Sequence, residues 1–344
     1  MFRISDYRKV LINQTAFIGD VVLTLPLAIK IKELNPNAEI HFLTTKVSAK
    51  IPKLINEIDE IIVFDKRGDD RGVAGIKKLI DKLENEQYDL IISPHRSSRS
   101  SIINFFAGAR LSISFDKSAL SFLYNKKVKY DRKRHEIERN LSLLSIFDEF
   151  DNYIYNKPNL NVDIESKNKI DSFIITNNLE KFVVIAPGSV WATKRWLPEN
   201  FASLAKLLID IGYKVILSGS KDDSIICSEI EKAVNDINLI NSSGKFTINE
   251  TIYLISKANF IITNDSAPIH FAGLTKTKTV AIFGPTIPEF GFAPVGTDDI
   301  IIQNNDLKCR PCAIHGGDKC PLGTLECMKG ITPEMVMSKI TKSL

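Results

Sequence analysis

Asp20 stands behind Gly19 at the end of INQTAFIGD (12–20), where a run of strand-like residues gives way to a helical pattern. An aspartate at a helix start accepts a backbone N–H and complements the helix dipole, a capping role worth about 0.5–2 kcal/mol. A carboxylate in the loop after a strand is also placed to take a proton from a substrate. The two roles are compatible, and the residues alone leave both open. A second stretch, APGSVWATKRWLPENF (186–201), brings small residues including Ser189, then Lys194 and Arg195, then a helix opened by Pro198. A cation beside a helix N-terminus and unpaired amides suits a diphosphate; the competing reading is a solvated loop with Trp191 and Trp196 packed on the surface. A third, TNDSAPIHFAGL (263–274), has three capping residues in a row, Asn264, Asp265 and Ser266, with His270 about one turn inside the helix. Three caps exceed what one helix end requires. Amides there could hold a phosphate, and Asp265 or His270 could reach a sugar or phosphate oxygen; His270 equally suits a satisfied interior position.

Several motifs are missing. No two glycines are separated by a single residue, so a dinucleotide G-x-G-x-x-G fingerprint cannot occur, and no P-loop, H-E-x-x-H or G-x-S-x-G is present. No D-x-D pair is available to hold a divalent ion on a sugar nucleotide. Phosphate charge then falls to Lys194, Arg195 and helix N-termini. CRPCAIHGGDKCPLGTLEC (309–327) gathers four of the five cysteines, Cys309, Cys312, Cys320 and Cys327, at C-x2-C-x7-C-x6-C spacing with His315 between them. Four thiols so close are candidates for a structural zinc site, although the second pair lacks the short spacing of a zinc ribbon. Unligated or redox-variable thiols are the other reading.

The elements that must position these loops read as repeated βα units. KVLINQ (9–14), AEIHFLT (38–44), EIIVFD (60–65) and YDLIIS (88–93) have the length and β-branched content of buried parallel strands. Between them lie helical patterns such as 75–87, with Ile76, Leu79, Ile80 and Leu83 on one face. An Asn/Lys/Asp-rich linker with a probable helix spans about 150–180, and the rhythm restarts with strands at 182–189, 214–220, 237–240, 260–263 and 279–284 and helices at 198–211, 222–234, 248–257 and 266–275. This predicts an α/β chain of two Rossmann-like domains, 1–165 and 166–344, with parallel sheets facing a central cleft and ligands beyond the strands' carboxyl ends.

At 344 residues and 44% hydrophobic content there is enough chain for two cores, and 45 Lys+Arg against 41 Asp+Glu leave a net charge of +4 that argues against a nucleic-acid partner. No apolar run approaches the roughly 20 residues of a membrane span, and residues 1–10 are too polar for a signal peptide, so a cytoplasmic protein is expected.

GDVVLTLP (19–26), PGSVWATKRWLPENFASLA (187–205), ILSGSKDD (216–223), NDSAPIHFAGL (264–274) and VAIFGPT (280–286) together resemble the motif series of glycosyltransferase family 9, the ADP-heptose:lipopolysaccharide heptosyltransferases. The resemblance implies a GT-B fold and inverting, metal-independent transfer of heptose from ADP-L-glycero-D-manno-heptose to the inner core (Kdo/heptose–lipid A) of lipopolysaccharide. It implies Asp20 as catalytic base and Ser189, Lys194, Asp265, Ser266, Ala267 and His270 on the donor side, with no cofactor required. Leu197, inserted between Trp196 and Pro198, and Ala267, where many members have glycine, are modest departures. In an acceptor-binding N-terminal half, His95, Arg96 and Arg99 of SPHRSSRSS (93–101) suit acceptor phosphates and carboxylates. The basic run NKKVKYDRKRHEIERN (125–140), which alone reads as a solvated helix face, could with them draw the protein to an anionic inner leaflet. Another sugar or acceptor within the family, or a GT-B-like nucleotide-sugar epimerase, are the alternatives.

Overall fold

The computed structural model describes residues 2–66, 68–151 and 158–343, and the chain divides into two compact units, Met1–Asn161 and Val162–Leu344. Part of the expected linker, residues 152–157, lies outside the described residues.

The first unit runs β1 (Lys9–Asn13), α1 (Ile18–Leu34), β2 (Glu39–Thr45), β3 (Glu60–Phe64), α2 (Gly72–Asn85), β4 (Leu90–Ser93), α3 (Ser98–Phe106), β5 (Leu111–Phe115), β6 (Lys126–Val128) and α4 (Glu136–Ser142). The second runs α5 (Ile164–Thr176), β7 (Phe182–Ala186), α6 (Pro198–Asp210), β8 (Lys214–Leu217), α7 (Ser224–Val234), β9 (Leu239–Asn241), α8 (Ile248–Lys257), β10 (Phe260–Asn264), α9 (Ala267–Thr275), β11 (Thr279–Phe283), β12 (Ile300–Gln303), α10 (Glu326–Lys329) and α11 (Pro333–Thr341).

Each unit holds one six-stranded sheet, ordered β3-β2-β1-β4-β5-β6 in the first and β12-β11-β10-β7-β8-β9 in the second. Every strand pair in both is parallel. Both sheets reverse direction of growth beside their first strand, between β1 and β4 and between β7 and β10. At such a switch point the loops leave the sheet in opposite directions and open a crevice at the carboxyl edge.

The strands are short apolar runs because both faces of each sheet are covered. Leu11, Leu43, Ile62 and Ile91 pack under Leu79 and Leu83 of α2 and Ile103 of α3. Helix α1, buried from Val21 through Ala28, is apolar on nearly every side and so fills an interior position. Expected boundaries hold to within a few residues; β5, β6 and β12 were not anticipated. LSISF is broken by two serines, IIIQ is a four-residue strand lost between the turn-rich PVGTDD and NND, and KKV is masked by its charge. The run 125–140 is therefore not one solvated helix face. Lys126–Val128 forms the outer strand β6, where lysines discourage pairing with another chain. Arg139 is buried against Glu136, at 2.8 Å.

Trp196 is fully buried rather than packed on the surface. Its indole N–H donates to the carbonyl of Ile331 at 2.9 Å, and its ring meets Phe201 edge-on at 4.9 Å. It anchors the 186–201 loop in the second core. Trp196→Ala is expected to cost about 3–5 kcal/mol, read as a lowered urea midpoint by circular dichroism; an unchanged midpoint would remove Trp196 as the anchor.

Candidate active site

In the first unit the site residues follow β1 and β4. Helix α1 begins at Ile18 with Phe17 as its N-cap, so Asp20 is the third helical residue and not the cap. Its Oδ2 accepts the Phe17 amide at 3.2 Å, so its side chain reaches back to the N-cap amide. The capping role expected of Asp20 thus survives in altered form. Burial pushes the Asp20 carboxyl up to about 7; the Glu136 carboxylate adds to the rise, and the Phe17 and Asp20 amides and Arg96 oppose it. A carboxyl poised there changes charge near neutral pH.

Arg96 stacks on Tyr130, its guanidinium carbon 4.0 Å from the ring centroid, and Arg139 lies 5.0 Å from the same centroid. Tyr130 in turn donates to Glu136 Oε2 at 3.4 Å. Asp20, Arg96, Tyr130, Glu136 and Arg139 therefore form one electrostatic cluster. His95 Nδ1 lies 3.0 Å from the Thr15 hydroxyl and 2.9 Å from that of Ser100. Burial pushes its pKa down to about 4, helped by Lys66, Arg96 and Arg99, so near neutral pH it is an uncharged hydrogen-bonding group rather than a third cation. Arg99 is exposed in the first turn of α3, behind the Ser97 cap. The helix dipole disfavours a cation there, so helix stability does not account for it.

In the second unit the residues follow β7 and β10. Lys194 ends a short 3₁₀ turn, Ala192–Lys194, and its Nζ lies 2.5 Å from Asp265 Oδ2. The same oxygen accepts the Thr286 hydroxyl at 2.6 Å. Asp265 thus holds Lys194 in place. Asn264 ends β10 and joins the two loops, accepting the Trp196 amide at 3.0 Å and donating to the Pro187 carbonyl at 2.7 Å. Of the three expected caps, none caps α9. Ser266 occupies the N-cap position, but its hydroxyl donates to the Gly188 carbonyl at 3.2 Å. The α9 start, with Ala267 first and Pro268 second, carries no side-chain cap. Ser189 is buried, and its carbonyl accepts Arg195 Nε at 2.8 Å. His270 is buried in α9 near Phe292. A Cβ on Gly188 would come within 2.1 Å of Asp223 Oδ1, so only glycine permits this approach of the GSKDD loop.

The cysteine-rich segment proves to be part of the wall behind Lys194. The Gly317 carbonyl accepts both the Thr193 amide (3.0 Å) and its hydroxyl (2.9 Å), and a side chain on Gly316, at φ +85°, would press on Lys194 and Trp191. Arg310 donates to the Gly284 carbonyl and, at 2.8 Å, to that of Thr286, fixing the loop that carries Thr286. The thiols themselves differ. The amides of Leu325, Leu322, Thr324 and Gly323 lower the Cys320 thiol, whereas burial pushes Cys327 up to about 11. No three of the four sulfurs lie within 4.8 Å of one another; among the described residues the one trio of potential ligand atoms that close is His41, Glu60 and Glu86. That trio is already held internally, His41 by Glu39 and Tyr88 at 2.8 Å each.

Glu136, Tyr130, Thr286 and Arg310 lie inside stretches the sequence singles out (125–140, 280–286 and 309–327) but were not picked as site residues, since the contacts that tie them to Asp20, Arg96, Asp265 and Gly284 join segments far apart along the chain.

A pair of six-stranded parallel Rossmann-like units, with polar loops gathered beyond the first and fourth strands of each, defines a GT-B glycosyltransferase fold. The chain belongs to glycosyltransferase family 9 (heptosyltransferase), whose model matches residues 76–319. It is 26% identical over 339 residues to lipooligosaccharide heptosyltransferase 2 of Campylobacter jejuni, covering 96% of this chain and 97% of that one. Among solved structures it resembles a family 9 glycosyl transferase from Veillonella parvula (TM-score 0.87, 20% identity, 100% of this chain and 98% of that one). It also resembles the ADP-heptose lps heptosyltransferase II of E. coli (TM-score 0.80, 23% identity, 97% and 98%).

The cluster around Asp20 makes a measurable statement. Carbon-detected NMR titration of the Asp20 carboxyl should give a midpoint of about 7, moving down in Glu136→Gln and up in Arg96→Ala. A midpoint near 4 in the wild type would show that the carboxylate is solvated.

Proposed function

We propose that the protein is an inverting heptosyltransferase that moves heptose from ADP-L-glycero-D-manno-heptose to the inner core of lipopolysaccharide. The observation that carries the mechanism is a carboxyl lifted to about 7, Asp20, beyond the first strand of the first unit. The names of the relatives support the choice of donor and acceptor.

An acceptor hydroxyl gives its proton to Asp20 Oδ as its oxygen attacks the heptose C1. The C1–O bond to the diphosphate breaks, and ADP leaves with the bonding pair. Attack opposite the leaving group inverts the anomeric centre. The leaving charge is met by Lys194, held by Asp265, and by the uncapped start of α9 at Ser266 and Ala267. Ser189 and His270 line the donor side. On the acceptor side Arg96 and Arg99 pair with phosphates or carboxylates, and neutral His95 offers a hydrogen bond. No metal ion takes part: a lysine and helix amides replace it. The reaction occurs in the cytoplasm, and no helix among the described residues is long and apolar enough to cross a membrane.

Asp20→Asn is the sharpest variant. The amide oxygen still accepts the Phe17 N–H, so helix α1 keeps this contact. Because the folded-state pKa lies above the unfolded value of 3.8, Asp20 favours folding most when protonated, and its contribution falls as pH rises through about 7. At pH 8 the variant should therefore melt no lower than wild type yet lose at least about 100-fold in kcat. Wild-type kcat would return Asp20 to a purely structural role. Arg96→Ala/Arg99→Ala should raise acceptor KM about tenfold or more with donor affinity intact, measured by steady-state kinetics; weakened ADP-heptose binding would contradict the acceptor role. Lys194→Ala should do the reverse, and a chelator should leave the rate unchanged.

A further inference from the structure

Helix α3 does not present a polar outer face. Ile102 (37% exposed), Phe105 (51%) and Phe106 (57%) point to solvent, with the two phenylalanine rings in edge contact at 5.2 Å. Beside α3 lies the turn that follows β5, where Leu120 is 37% and Phe122 73% exposed. This turn is tied to α3: the Ala119 amide donates to the Arg96 carbonyl at 2.9 Å, and the Ser101 hydroxyl donates to the Ala119 carbonyl. Leu120 sits at φ +56°, a left-handed conformation that leucine rarely adopts. Strain is thus accepted in a turn that leaves two large apolar side chains in water.

The concentration is specific. Of the chain's 19 phenylalanines, the exposed ones among the described residues are Phe17, Phe105, Phe106 and Phe122, and three of these share this face. Its surroundings are basic. Residues 94–130 hold seven Arg/Lys against one acid, Asp116, in a chain whose net charge is only +4. Arg99 lies on α3, Lys117 follows β5, and Lys127 pairs in register with Ser114 on the outer strand. Aromatic and aliphatic side chains rimmed by exposed cations fit a layer that is apolar inside and anionic at its surface.

We propose that the α3 face docks on an anionic phospholipid bilayer. Ile102, Phe105, Phe106, Leu120 and Phe122 enter the headgroup layer, and Arg99, Lys117 and Lys127 meet lipid phosphates. The use of this contact in catalysis rests on the proposed lipid-linked acceptor; the contact itself does not. Since Arg96 and Arg99 belong to the same loop and first turn, the docked face keeps the acceptor's headgroup sugars beside residues of the β4 loop while its acyl chains stay in the leaflet.

Flotation of the whole protein with phosphatidylglycerol/phosphatidylethanolamine vesicles tests this directly. Wild type should float with them at least tenfold more than with phosphatidylcholine vesicles. Phe105→Ser/Phe106→Ser/Phe122→Ser and, separately, Lys117→Glu/Lys127→Glu should each lose at least tenfold of that binding. Both variants should keep wild-type transfer to a deacylated, water-soluble acceptor and lose it on acceptor embedded in vesicles. Wild type that fails to float, or variants that float as wild type does, would overturn the proposal. So would a wild-type dimer that the phenylalanine variant dissociates while vesicle binding is absent. Absence of transfer to any acceptor by a wild type that floats would instead count against the heptosyltransferase reading and leave the docking surface standing.

Discussion

Parallel pairing of β1 with β4, and of β7 with β10, is the constraint on which the candidate site residues of each unit depend. A parallel sheet returns its chain through a helix, so each strand's carboxyl end must open into a loop and each loop into a helix N-terminus. Where the strand order reverses, two such loops diverge. Asp20 and His95–Arg99 lie on the first pair of loops and the first turns of the helices those loops open, Ser189–Lys194 and Asp265–Ser266 on the second pair. The same topology, used twice, yields a carboxyl with a raised pKa in one unit and a held lysine in the other.

The difference between the two lies in what surrounds each aspartate. Asp20 is desolvated beside the Glu136 carboxylate, and Arg96, stacked on Tyr130, offsets only part of the rise, so the carboxyl is pushed up to about 7. Asp265 has Lys194 at 2.5 Å and a hydroxyl from Thr286, so its charge is spent inside the protein. The first carboxyl is raised to about 7; the other positions a cation. The cysteine-rich segment belongs to this second arrangement through Gly317 and Arg310, which brace the loops of Lys194 and Thr286.

Much of this was legible in residue types. Asp20 at a strand–helix junction, Lys194 ahead of Pro198, and the Asn264–Asp265–Ser266 run all marked loops with more polar groups than folding requires. Glu136, Tyr130 and Thr286, though inside the 125–140 and 280–286 stretches, were not legible as site residues, because their places beside Asp20, Arg96 and Asp265 join segments far apart along the chain. The basic run 125–140 misled for a related reason: lysines on an outer strand and a buried arginine look like a solvated helix until pairing is known. In SIINFF the exposed Ile102, Phe105 and Phe106 are interleaved with the buried Ser101, Ile103 and Asn104, a division that residue types do not show. Cap chemistry was misjudged at α9, where the hydroxyl of Ser266 turns to the Gly188 carbonyl instead of the helix.

The central claim is that a single carboxyl in the first unit, held near neutrality by its surroundings, accepts the acceptor's proton. The most direct test is the pH dependence of kcat/KM for heptosyl transfer with a soluble acceptor. The account predicts an acid limb of unit slope with a midpoint of about 7 in the wild type, absent from the residual activity of a variant lacking the Asp20 carboxylate. A rate independent of pH between 5 and 8 on the order of that range, or an acid limb that persists without the carboxylate, would contradict it.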